Sequence, residues 1–147
     1  MSGASSSIGR WISILYRFRQ NYLSKRLEPF NIGSGQYFFL LVLSENNGIS
    51  QERLSNYLKI DKATTAKAIK KLEKEGYVTR TVDTTDKRAY QVYLTQKGWE
   101  LLPLIEKYIN DWERLVTVGF AENESQLLER LLEKMARNAC QIKEMDL

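Results

Sequence analysis

The chain has 147 residues, 43% hydrophobic and 27% charged, with 22 basic against 18 acidic side chains and a net charge of +4, which bounds one ordinary globular domain and excludes a disordered or fibrous chain. It has no histidine and a single cysteine, which excludes Ser-His-Asp and Cys-His nucleophile pairs, zinc sites of the Cys/His kind and any intramolecular disulfide. No enzymatic chemistry, metal or cofactor is expected.

Residues 1–7, MSGASSS, have nothing to bury and read as a flexible leader. From Ile8 to about Glu28, apolar residues recur at spacings of three and four, which predicts a long amphipathic helix closed by Pro29. A second helix is expected after Ser34, through FFLLVLSE, apolar nearly all round and stopped by Asn46-Asn47-Gly48. The longest apolar run lies here, Tyr37 to Leu43, seven residues against the ~20 that span a bilayer. With no signal-peptide pattern at the start, no membrane partner and a cytoplasmic location are expected. Ser50 should cap a short helix with Leu54, Tyr57 and Leu58 on its inner face, and Asp61 should cap the next, Lys62 to Glu75, with Gly76 as its stop. Tyr77–Val82 and Ala89–Leu94 are rich in β-branched and aromatic residues and flank a polar tip, which predicts an antiparallel hairpin. Thr95 should open a long helix to about Val118, mildly interrupted at Pro103. Asn123 with Gln126 resembles a capping box for a last helix to about Met145. On that helix Cys140 reads as a small apolar residue.

Charge is unevenly spread. Residues 59–88 hold nine basic and five acidic side chains, whereas residues 96–147 hold seven basic and ten acidic. A basic middle on an acidic scaffold is the footprint of a module facing a polyanion. The pattern short helix, brief link, second helix from Ser50 to Gly76 matches a helix-turn-helix whose second helix enters a DNA major groove. With Thr65, Ala68, Ile69 and Leu72 turned inward, that helix presents Lys62, Ala63, Thr64, Ala66, Lys67, Lys70 and Lys71 outward. Lysines neutralise phosphates, and the small residues allow close approach to base edges. Ser50, at the head of the first helix of the pair, joins these candidate contacts. The hairpin that follows makes the winged form, with Lys87 or Arg88 at its tip suited to a narrow minor groove. Arg80 and Asp86 read as wing-supporting, the acid orienting a basic neighbour. Gly33-Ser34-Gly35 lacks the further glycine of a dinucleotide loop and the lysine of a phosphate loop.

Here the sequence resembles a known family. DKRAYQVYLTQKG, with Asp86, Arg88, Leu94, Thr95 and Gly98, is similar to the wing signature of MarR-type regulators, and DKATTAKAIKKLEKEGYVTR is similar to their recognition helix and its ending. The resemblance spans about Ile8 to Met145. It implies a mainly α (α+β) fold: one domain over 1–147, with a winged helix-turn-helix core at about 33–95. Long dimerisation helices lie at about 8–28 and 96–145. It further implies a homodimeric regulator of transcription on pseudo-palindromic double-stranded DNA, often a repressor released by a small anionic aromatic ligand. Thr64, Lys67 and their neighbours would sit in the major groove and Arg88 in the minor groove. Arg17 and Tyr37 are the candidate contacts for such a ligand. The zinc-binding members use histidines and the peroxide-sensing members an N-terminal cysteine, and this chain has neither. A winged-helix protein-interaction module without DNA binding is the alternative reading.

Overall fold

Short polar side chains open most of the helices. In the computed structural model, Ser7 Oγ accepts the Arg10 N–H at 3.2 Å and opens α1 (Ile8–Leu27). The structure describes residues 7–85 and 89–144. The rest of the expected leader, the tip residues Asp86, Lys87 and Arg88, and Met145 lie outside them. A turn of 3-10 helix, Glu28–Phe30, contains Pro29, and α2 (Tyr37–Glu45) follows. Next come α3 (Gln51–Leu58), α4 (Lys62–Lys74), β1 (Val78–Val82) and β2 (Tyr90–Leu94). The last helices are α5 (Gln96–Val116), which runs through Pro103, and α6 (Glu122–Glu144). The chain divides into two compact units, one up to Trp112 and one from Glu113.

The core of the first unit is apolar and continuous. Leu23 and Leu27 of α1 meet Phe39, Leu40 and Leu43 of α2, Leu54 of α3, Ile69 and Leu72 of α4, Val78 and Val92 of the hairpin, and Leu101, Leu102 and Ile105 of α5. Each such side chain contributes about 1.5–3 kcal/mol on leaving water. The expected fold class holds: mainly helical, with a two-stranded antiparallel wing in the register Val78↔Leu94 to Val82↔Tyr90.

The link between α2 and α3 does something its sequence does not announce. Gly48 N–H donates to the Val92 carbonyl at 2.8 Å, and Val92 N–H donates to the Ile49 carbonyl at 3.0 Å. Ser50 bridges Gln91, and Leu94 N–H donates to Asn47 Oδ1 at 2.8 Å. NNGIS reads locally as a helix stop and a cap; its pairing along the β2 edge satisfies backbone groups that a two-stranded hairpin leaves open.

Two local expectations are corrected. Tyr57 is exposed, and Ser55 is buried in its place. The inner sector of α3 is centred on Leu54, Ser55 and Leu58, and at about 100° per residue Tyr57 falls roughly 110° from that centre. The last helix starts at Glu122, not after Asn123. Glu124 reaches back to accept the Ala121 N–H at 2.9 Å, so it fills the capping-box position assigned to Gln126. No described side chain of α6 is buried, and Leu127, Leu128, Leu131, Leu132, Met135 and Ile142 are all exposed. Among the described residues no helix is long and apolar enough to cross a membrane.

Candidate nucleic-acid interface

The turn between α3 and α4 is closed from both sides. Ser50 Oγ accepts the Arg53 N–H at 3.1 Å and caps α3. Lys59 ends α3 in the left-handed region with φ 56°, and its N–H and that of Ile60 bond the last turn's carbonyls. A non-glycine residue there costs backbone strain, and it lets Asp61 start a new helix at once. Asp61 accepts the Thr64 N–H at 2.8 Å on one carboxylate oxygen and the Thr64 hydroxyl at 2.7 Å on the other. Those two bonds, the backbone one first, hold the Asp61 carboxyl below its ordinary range.

On α4, Thr65, Ala68, Ile69 and Leu72 face the core. Lys62, Ala63, Thr64, Lys67, Lys70 and Lys71 are exposed and Ala66 half-exposed, so one helix face carries every α4 residue named from the sequence as a DNA contact. Lys74, absent from that set, shares a surface hollow with Lys67, Lys70 and Lys71; its place in the same basic row was the signal. Lys62 Nζ lies 3.2 Å from Glu52 Oε1, a solvent-exposed pair of little energetic weight. The Thr64 hydroxyl is donated to Asp61, which leaves its lone pairs and methyl group outward. Ser50, Gln51, Glu52, Ser55, Lys62, Ala89 and Tyr90 line a groove of about 400 Å³ where α3, α4 and the wing meet.

Arg80, read from the sequence as wing-supporting, is tied to α4. Among the described residues its ion pair is with Glu73 of α4, Nη2 to Oε1 at 3.1 Å, because mid-strand on β1 it faces the helix rather than the tip. Asp83 is occupied by Thr85, accepting its N–H at 2.8 Å and its hydroxyl at 2.7 Å. Asp86, Lys87 and Arg88 fall outside the described residues. Elsewhere in the first unit, Tyr37 is buried and its hydroxyl accepts from the Arg19 guanidinium. Arg17 is exposed on α1, so the arginine that meets Tyr37 is the one two residues further on, which sequence reasoning missed.

The comparisons with known proteins agree with this architecture. The sequence model of the MarR family matches residues 32–90. A MarR transcriptional regulator from Methanosarcina mazei Go1, solved by crystallography, is 47% identical; the match covers 92% of this chain and 97% of that one, with a TM-score of 0.86. The HTH-type transcriptional regulator BilQ of Clostridioides difficile (strain CD3) is 32% identical over 103 residues, 70% of each chain. A putative MarR family regulator from Listeria monocytogenes, crystallised with a 26mer DNA, is 32% identical over 90% of this chain and 89% of that one, with a TM-score of 0.84. With identity at these levels across two thirds or more of each relative, and with a helix-turn-helix and wing in the order the family uses, the chain belongs to the MarR family of transcriptional regulators.

Proposed function

We propose that this regulator is a homodimer that binds a pseudo-palindromic duplex operator sequence-specifically and represses transcription from it. The observation that carries the reading is the outer face of α4, where Lys62, Lys67, Lys70, Lys71 and Lys74 stand exposed around Ala63, Thr64 and Ala66. Lysines on such a helix neutralise phosphates, and the small residues between them admit the helix to the major groove. The Listeria relative solved with DNA supports the same use of the fold. Ser50 contacts the flanking backbone. Lys87 and Arg88 reach the minor groove, a role that rests on their charge at the tip and, for Arg88, on the family resemblance.

Residues 33–95 bind DNA in this reading, and residues 8–28 and 96–145 dimerise. Ile8, Trp11, Ile12 and Leu15 on α1 and the apolar face of α6 are exposed in the single chain, and apolar patches of this kind mark interfaces. Two-fold symmetry then sets half-sites about 10 bp apart. A small anionic aromatic effector releases the DNA, with Arg17 and Tyr37 as its contacts. Because Arg19 already holds the Tyr37 hydroxyl, the effector must share or displace that bond. The chain works where the DNA is, in the cytoplasm.

Selection of duplexes from a random-sequence library, followed by titration at several salt concentrations, tests the reading. The expected result is one enriched pseudo-palindrome, with log affinity falling steeply against log salt. Absence of enrichment and of salt-dependent binding would favour the protein-interaction module instead.

A further inference from the structure

The wing is attached unevenly. Its near half is anchored in the core by Val78, Val92 and Leu94, and residues 47–50 bond along the β2 edge. Beyond the backbone bridge from Ser50 to Gln91, the described residues of its far half have no such anchor. Among the described residues from Arg80 to Gln91 no side chain is buried, and Val82 and Tyr90, paired across the last rung, are both exposed. A two-stranded hairpin alone is marginal in water, so the direction of the far half depends on directional contacts.

Arg80 supplies them from the boundary between the halves, where it pairs with Val92. Its Nε and Nη2 donate to Glu73 Oε1 on α4 at 3.3 and 3.1 Å. Its guanidinium carbon lies 4.6 Å from the centroid of the Tyr90 ring on β2. One planar cation therefore joins α4 to both strands. The side chains of Arg80 and Glu73 are 21% and 36% exposed, against 74% and 66% for Lys62 and Glu52, so this pair is the better shielded from salt. Lysine could not replace Arg80, because a compact ammonium cannot make the forked contact and also lie flat on the ring.

We propose that Glu73, Arg80 and Tyr90 are positioning residues that hold the wing at the angle where it and α4 engage one duplex together. The proposal rests on the DNA-binding reading above. It also accounts for an acid on a helix otherwise committed to phosphates: Glu73 is turned to the wing and neutralised by Arg80.

The test uses the full chain and a duplex selected from a random library by the wild-type protein, shortened stepwise from both ends. The gain in affinity as the duplex lengthens past the segment under α4 reads the wing. E73Q and R80K are expected to cut that gain by about fivefold while leaving affinity for the shortest bound duplex unchanged. The swapped pair E73R/R80E, which keeps the ion pair but takes the cation off the Tyr90 ring, is expected to restore only part of it. A wild-type gain retained in full by E73Q overturns the proposal, as does equal loss on short and long duplexes, which marks damage to the fold. Absence of any length gain in the wild type also overturns it. If E73Q does not fold by circular dichroism, R80K, which keeps the charge, carries the same comparison. Failure of the wild type to bind any library duplex would instead overturn the DNA-binding reading.

Discussion

Gly98 stands in the first turn of α5 against the start of the wing, where an added Cβ would come 2.4 Å from the Tyr77 carbonyl oxygen. That contact is with backbone and cannot be relieved by a rotamer change, so G98A is expected to cost about 3 kcal/mol, measured by urea denaturation. The family signature in which this glycine sits therefore has a packing cause at this position. Tyr77 is coupled to the same junction: its hydroxyl donates to the Phe30 carbonyl at 2.7 Å. Burial, and secondarily the Glu75 carboxylate, push its phenol above the ordinary value of 10.0. The fold thus favours the neutral phenol. Its contribution is complete below pH 10 and is lost as pH rises through the higher folded value. Y77F is expected to cost about 1 kcal/mol at neutral pH and to flatten the alkaline decline in unfolding midpoint above pH 10. An unchanged alkaline limb would remove Tyr77 as its source.

At the scale of the element, α4 is expected to separate residues that read bases from residues that hold phosphates. Lys70 has a long flexible stem suited to a phosphate. K70A should lower affinity evenly across operator variants and make the log-affinity against log-salt line shallower by about one unit. Thr64 lies in the first turn, which a helix-turn-helix points at base edges, and T64A should change which variants are preferred. Since the Thr64 hydroxyl also donates to Asp61, T64A should lower the thermal midpoint as well, which a melt recorded beside the titrations would register. A change in base preference with K70A and an intact salt slope would reverse the two roles. The inner and outer faces of α4, its Asp61 cap and its stop at Gly76, with φ 84°, were legible in the sequence because each depends on neighbours within one or two turns. The inward placement of Tyr57 failed because an eight-residue helix leaves the centre of its buried sector to its packing partners.

For the molecule as a whole, the exposed apolar face of α6 predicts that the 17.1 kDa chain sediments at twice that mass at micromolar concentration. L131D, at the middle of that face, should weaken self-association by about 30-fold or more, as a central apolar residue does in an interface. A wild-type species at the single-chain mass would refute the dimer, and with it the two-fold operator.

Periodicity, caps and turn residues in the sequence alone determined the helix and strand order and the inward face of α4, and the resemblance of the wing and recognition-helix segments to a known family pointed to the family. These are set by local spacing and by short motifs whose backbone requirements travel with them. What only the tertiary structure decided are partnerships between distant segments. Residues 47–50 complete the edge of β2, Arg80 pairs with Glu73 of α4, and Arg19 meets Tyr37. In each case several charged or polar neighbours were chemically eligible. The choice among them rests on which Cβ directions the packed core brings within bonding distance, a quantity that no single segment of the chain contains.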